Sequence, residues 1–151
     1  MPFLIIYATK SGATELCTKM LAEELGDCTC LNLAEDKPKL EEYDTVILGA
    51  GVRDGKIYKP IRDYIKKNKD ELLTKNLGFF ICNEKPKKTE EIIEQNFSKD
   101  LQSAAIAIAS FGGYKAYAAP KEGEDQLKGI FVDHIRDFAA TFKELPSKAT
   151  S

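Results

Sequence analysis

"FLIIYATKSGATELCTKMLAEELG", residues 3 to 26, is the stretch on which the fold turns. Residues 3 to 8, FLIIYA, form an unbroken apolar run of strand length, the pattern of a strand covered on both faces. From residue 14 the period changes. Leu16 falls in line with Met20, and Cys17 with Leu21 and Leu25, which makes one apolar helix face over 14 to 25. Gly26 stands where a helix C-cap belongs. Between strand and helix lie Thr9, Lys10, Ser11, Gly12, Ala13 and Thr14. A helix N-terminus offers free N–H groups and a partial positive charge, so it holds anions. The hydroxyls at 9, 11 and 14 would donate to phosphate oxygens, Gly12 would let the backbone come close, and Lys10 would add a cation. Capping alone would need one hydroxyl.

The same alternation continues outward. CTCLNL (28 to 33), TVILGAG (45 to 51), LGFFIC (77 to 82) and AAIAIAS (104 to 110) read as further strands. Helical periods fall between and after them. KPIRDYIKKNKDELL (59 to 73) has Pro60 in its first turn, a favoured place. TEEIIEQNFSKDL (89 to 101) sets Ile93, Phe97 and Leu101 in register, and 127 to 142 lines up Leu127, Phe131, Ile135, Phe138 and Phe142. Strands alternating with helices predict an α/β fold with a parallel sheet and helices on both faces. One domain over residues 1 to 145 is expected, with a short tail at 146 to 151.

Composition narrows the function classes. The chain has 151 residues, 43% hydrophobic and 30% charged, with a net charge of −2. That balance gives no global pull toward nucleic acid or an anionic membrane surface. No run approaches a bilayer span, and MPFLII lacks a basic leader, so a cytoplasmic protein is expected. Cys17, Cys28, Cys30 and Cys82 form no zinc spacing with the single His134, so they are expected to be small core hydrophobes and no metal is expected.

In doubly wound sheets, ligands bind outside the carboxyl ends of the strands. The turns at 8 to 14, 49 to 58 and 82 to 88 are therefore the candidate walls, with 110 to 124 as a fourth. A Walker A loop is absent, and Tyr7 and Ala8 stand where a receiver domain would need acids. GAGVRDG (49 to 55) has its third glycine one place late for a dinucleotide fingerprint and follows the third strand.

The TKSGAT segment at 9 to 14 resembles the phosphate-binding loop of the flavodoxin family, T/S-x-T/S-G-x-T, directly after strand one. The likeness runs through the spacing of all five strands. It implies a flavodoxin-like doubly wound five-stranded parallel sheet, order 2-1-3-4-5, with helices on both faces. It implies flavin mononucleotide (FMN) as cofactor, its phosphate on Thr9, Lys10, Ser11, Gly12, Ala13 and Thr14. It also places Ala50, Gly51, Val52, Arg53, Asp54 and Gly55 on one side of the isoalloxazine ring, with Asn83 and Glu84 on the other. GAGVRDGKIYKPIRDYIKK (49 to 67) and NEKPKKTEE (83 to 91) further resemble segments of oxygen-independent, menaquinone-linked protoporphyrinogen oxidases.

Flavodoxins usually lay a Trp or Tyr on the flavin; this chain has no Trp, and residues 50 to 56 contain no aromatic, Tyr58 being the nearest. Arg53 would either lie on the ring's π-face and favour an anionic reduced flavin, or pair with Asp54 at the surface. Asp54-Gly55 is a good turn dipeptide; the resemblance also implies a glycine-containing turn near flavin N5 whose peptide can rotate, a part that Gly55 or Gly51 would serve because glycine tolerates both conformations. Phe111, Tyr114 and Tyr117 would cover a ligand or pack on the sheet end. His134, within the last helix, is expected away from the ligand end. No nucleophile–base pair stands out, so no catalytic side chain is assigned.

Three functions follow. The first is an FMN-binding electron-transfer protein, served by a redox partner protein or by a quinone or other small-molecule acceptor. The second is a flavin-dependent oxidoreductase acting on a quinone or porphyrinogen-like substrate. The third is an interaction module that kept the fold without the cofactor.

Overall fold

A computed structural model of the chain describes residues 3–8, 12–33, 35, 37–53, 55–83, 88–112 and 129–144. The apolar run becomes β1 (Phe3–Ala8), and the amphipathic segment becomes α1 (Gly12–Leu25). There follow β2 (Cys28–Asn32), a 3-10 turn (Leu40–Glu42), β3 (Thr45–Arg53), β4 (Lys56–Ile57) and α2 (Lys59–Leu72). The chain continues through β5 (Asn76–Cys82), α3 (Thr89–Asn96), α4 (Lys99–Ala104), β6 (Ala105–Ser110) and α5 (Val132–Lys143).

The strands run β2-β1-β3-β5-β6, all parallel. This is the expected order, since β5 and β6 are the fourth and fifth long strands of the sequence. Pairing sets Ala8 beside Ala50, Gly51 beside Cys82, and Ile81 beside Ser110, so four strands end along one edge. Chain order reverses between β1 and β3, which makes that edge the switch point.

Alternation along the central strands buries both faces. Leu4, Ile6, Val46, Leu48, Phe79 and Ile81 face α2, α3 and α4, where Ile61, Ile65, Ile92 and Leu101 close the layer. Ile5, Ile47 and Phe80 face α1 and α5, against Cys17, Leu21, Ile135, Phe138 and Phe142. Gly49 is dictated by this packing: the Phe80 ring occupies the space a Cβ there would fill. Phe80 in turn stacks on Phe111, with centroids 4.6 Å apart and planes 15° apart.

Four expectations need correction. The loop at 49 to 58 is a hairpin, because β3 extends to Arg53 and turns back through β4, with Val52 opposite Ile57 and Arg53 opposite Lys56. Gly55 makes the turn at φ +78°, a conformation that favours glycine. The helix expected over 89 to 101 is two. Phe97 is extended (φ −120°, ψ 129°), which lets its ring drop against Phe79 at 4.6 Å, and Ser98 then caps α4 by accepting from the Leu101 amide at 3.4 Å.

The last helix starts at Val132, not 127. Gly129 has φ +88°, Ile130 bridges to Gly112, and the Phe131 amide donates to the Phe111 carbonyl at 2.9 Å, so this stretch belongs to the sheet end. Finally, only Cys17 and Cys82 are core residues. Cys30 is exposed and Cys28 half-buried, because β2 is an edge strand. Leu127 and the tail from 146 lie outside the described residues.

Candidate functional site

Those of the expected site residues that are described lie along the switch-point edge. Gly12 and Ala13 open α1, the next element after β1, and Thr14 follows in its first turn. Ala50 and Gly51 sit in β3 beside the ends of β1 and β5, and Val52 and Arg53 carry the strand into the hairpin. Asn83 follows β5 directly. Ala13, Ala50 and Asn83 are buried, while Gly51, Val52 and Gly55 are half-buried. Thr9, Lys10, Ser11, Asp54 and Glu84 lie outside the described residues, as do Tyr114 and Tyr117.

Thr14 is the informative member. Its backbone carbonyl accepts from the Thr18 hydroxyl at 2.8 Å, in the manner of an ordinary helical threonine. Its own Oγ1 has no hydrogen-bond partner among the described residues, although the residue is fully buried. Leaving a buried hydroxyl unpaired costs about 1–3 kcal/mol. The atom sits at the positive end of a helix dipole, where a negative group is stabilised. It also faces β3: a Cβ on Gly51 would lie 3.4 Å away. A polar ligand at this edge would supply the missing partner.

Two side chains unassigned by the sequence belong here too. His134 lies in the first turn of α5, and its Nδ1 is 2.8 Å from the carbonyl of Ser110, the last residue of β6. That places it at the ligand end of the sheet, contrary to expectation. A helix returning beneath parallel strands begins at their carboxyl edge, and His134 is only its third residue. The Phe131 ring stands edge-on to it at 5.0 Å. Asn96, at the end of α3, reaches the hairpin: its Nδ2 donates to the Gly55 carbonyl at 2.8 Å, and its Oδ1 accepts from the Ile57 amide at 3.1 Å.

Phe111 does not cover a ligand. It is fully buried between Phe80 and Phe138. Tyr7, at the end of β1, has its pKa raised, first by burial and then by the charge of Glu15, so it remains a neutral phenol. The Cys17 thiol is held protonated by hydrogen bonding to Cys82 and by burial, which suits packing rather than nucleophilic work. Among the described residues there is no group of three or more metal-ligating side chains, and no helix long and apolar enough to cross a membrane.

Comparison with known proteins agrees with this architecture. The family model for the flavodoxin domain matches residues 4–120. Protoporphyrinogen IX dehydrogenase [quinone] of Escherichia coli (strain K12) is 29% identical over 104 residues, covering 65% of this chain and 57% of that protein. The chain thus matches little more than half of that relative's length. Among solved structures, oxidised flavodoxin 1 from Bacillus cereus superposes with TM-score 0.61 at 18% identity, over 97% of this chain and 100% of that one. A Fusobacterium nucleatum flavodoxin bound to flavin mononucleotide gives TM-score 0.58 at 13% identity, covering 95% and 97%. At those identities the structures speak to the fold.

Proposed function

Because this chain belongs to the flavodoxin domain family, we propose that it binds FMN at the carboxyl edge of β1, β3 and β5 and passes electrons through it. The observation that carries this reading is Thr14, whose buried hydroxyl lacks a partner among the described residues, at the helix end where a dianionic phosphate is best held. Thr9, Lys10, Ser11, Gly12, Ala13 and Thr14 would grip that phosphate through hydroxyls, backbone N–H groups and one cation. Ala50 to Gly55 would form one wall of the ring pocket, with Asn83 and Glu84 as the other.

When bound, the flavin ring supplies the redox chemistry. The chain's own part is anchoring, orientation and electrostatics. Arg53, at the end of β3, would place positive charge by the ring and favour its reduced, anionic form. Gly55, already at φ +78°, gives the hairpin turn a backbone free to adjust its peptide orientation. The electron partner would be a redox protein or a quinone-like small molecule.

The relationship to a quinone-linked dehydrogenase favours a second reading, in which the same site oxidises a small molecule directly. Adding FMN to the purified protein and removing the excess decides the cofactor. Retained absorption bands near ~370 and ~450 nm, the flavin's own, support it, and a colourless protein refutes it. Turnover of a quinone by the loaded protein without any partner protein would then favour the enzyme over the carrier.

A further inference from the structure

The hairpin that would wall the ring pocket is too small to hold itself. It has only two ladder pairs, Val52 with Ile57 and Arg53 with Lys56, closed at its base by the Tyr58 amide donating to the Gly51 carbonyl at 2.9 Å. An isolated two-stranded ribbon is at best marginal in water. Its support comes from α3, which lies about 40 residues further along the chain.

The contact is made by Asn96. Its side-chain amide is fully engaged: Oδ1 accepts from Ile57 N at 3.1 Å, and Nδ2 donates to the carbonyls of Gly55 and Ile92, both at 2.8 Å. One acceptor meets a donor and the two donors meet acceptors, so only one amide orientation satisfies the site. The bond to Ile92 ties the side chain to its own helix, and the bonds to Gly55 and Ile57 hold the turn and the returning strand β4. At the other end of α3, Thr89 Oγ1 accepts from Asn83 Nδ2 at 3.3 Å. Asn83 is buried and follows β5 directly, so it begins the opposite wall.

We infer that α3 is a strut between the two walls, and that Asn96 is a positioning residue that holds the Gly55 turn at its proper distance from Asn83. The strut rests on hydrogen bonds already present in the chain, and its service to a flavin rests on the function proposed above. An eight-residue helix is about 12 Å long, so one short rigid element sets the spacing of both loops. A shift of the turn at Gly55 is then felt at the first residue of α3. Asn96 acts on the ring's surroundings, not on the phosphate.

Two variants test this. Asn96→Asp keeps shape and acceptor but turns an oxygen onto two carbonyls; Asn96→Ala removes the side chain. Amide hydrogen exchange is measured first in flavin-free protein. The expected result is that Ile57 exchanges at least roughly ten-fold faster in both variants, while the ladder amides of β1, β3 and β5 keep their rates and so report an intact fold. FMN and riboflavin affinities are measured next. Both should fall by a similar factor, roughly ten-fold, because the loss is on the ring side. Unchanged exchange at Ile57 overturns the strut, and faster exchange with undiminished affinity for both flavins overturns the positioning role. Should the parent protein bind neither flavin while Ile57 still responds, the strut is supported and the flavin assignment falls.

Discussion

A methyl group placed on Gly51 would lie 3.4 Å from the hydroxyl oxygen of Thr14, so the end of β3 and the first turn of α1 meet with no side chain between them. The strand end and the helix end thus share one small polar surface. Without a partner among the described residues that hydroxyl costs the fold, and a ligand bonded to it would reverse the cost. This asymmetry separates a binding role from a structural one.

Thr14→Val makes that separation measurable. Valine keeps the shape and removes the unpaired oxygen, so flavin-free protein should hold its stability or gain up to about 1 kcal/mol in urea unfolding. FMN affinity should fall roughly ten-fold or more, as expected for losing a hydrogen bond to a charged group, with riboflavin affinity unchanged. A variant that loses stability and binds both flavins as before would mark Thr14 as an ordinary helix residue.

Gly49→Ala should destabilise the fold by about 1–3 kcal/mol, because its Cβ enters the space of the Phe80 ring. Phe80→Leu should be costly too, since it breaks the stack on Phe111. Combined, the two should be less damaging than their sum by about 1 kcal/mol or more in a double-mutant cycle. Strict additivity would mean that the ring does not dictate the glycine.

Alkaline pH should weaken the fold. Burial first, then the neighbouring Cys30, pushes the Cys28 thiol from 9.0 up to about 12. Burial, and then Glu71, pushes the Tyr64 phenol from 10.0 up to about 12. Both groups keep their protons in the folded state where the unfolded chain releases them. Their stabilisation is therefore complete below about pH 9 and lost as pH rises toward about 12. The urea midpoint should drop between pH 8 and 11, and drop less in Tyr64→Phe. A midpoint that is flat over that window contradicts the assignment.

Ser98→Ala tests why the third helical segment breaks. Ser98 accepts from the Leu101 amide and starts α4 just after Phe97 turns into the core. Losing the cap should cost about 1 kcal/mol, read as a lower thermal midpoint. A neutral result would leave the Phe97–Phe79 contact as the sole reason for the break.

Much of this architecture is legible along the chain. The long strands show as apolar runs, and the first turn shows as hydroxyls around a glycine. What escapes is whatever depends on partners remote in sequence. Asn96 looks like an unremarkable helix residue because its bond to Gly55 spans 41 positions. Cys28 and Cys30 share a strand face, and that face is less covered because β2 is the edge of the sheet among the described residues. Two other features carry signals that go further than the reading made of them. Asp54-Gly55 reads as a turn dipeptide, and its place between Val-Arg and Lys-Ile makes it a hairpin signature. The direction of α5, and with it the place of His134, follows from parallel topology.

The pairing of Gly112 with Ile130, reinforced by the Phe131 amide on the Phe111 carbonyl, brings two points eighteen residues apart to the same spot. It acts as a clasp that fastens the end of β6 to the entry of α5. The last helix is thereby anchored where it begins, so its opening turn, His134 included, takes its place from the tip of β6 and moves only if that tip moves.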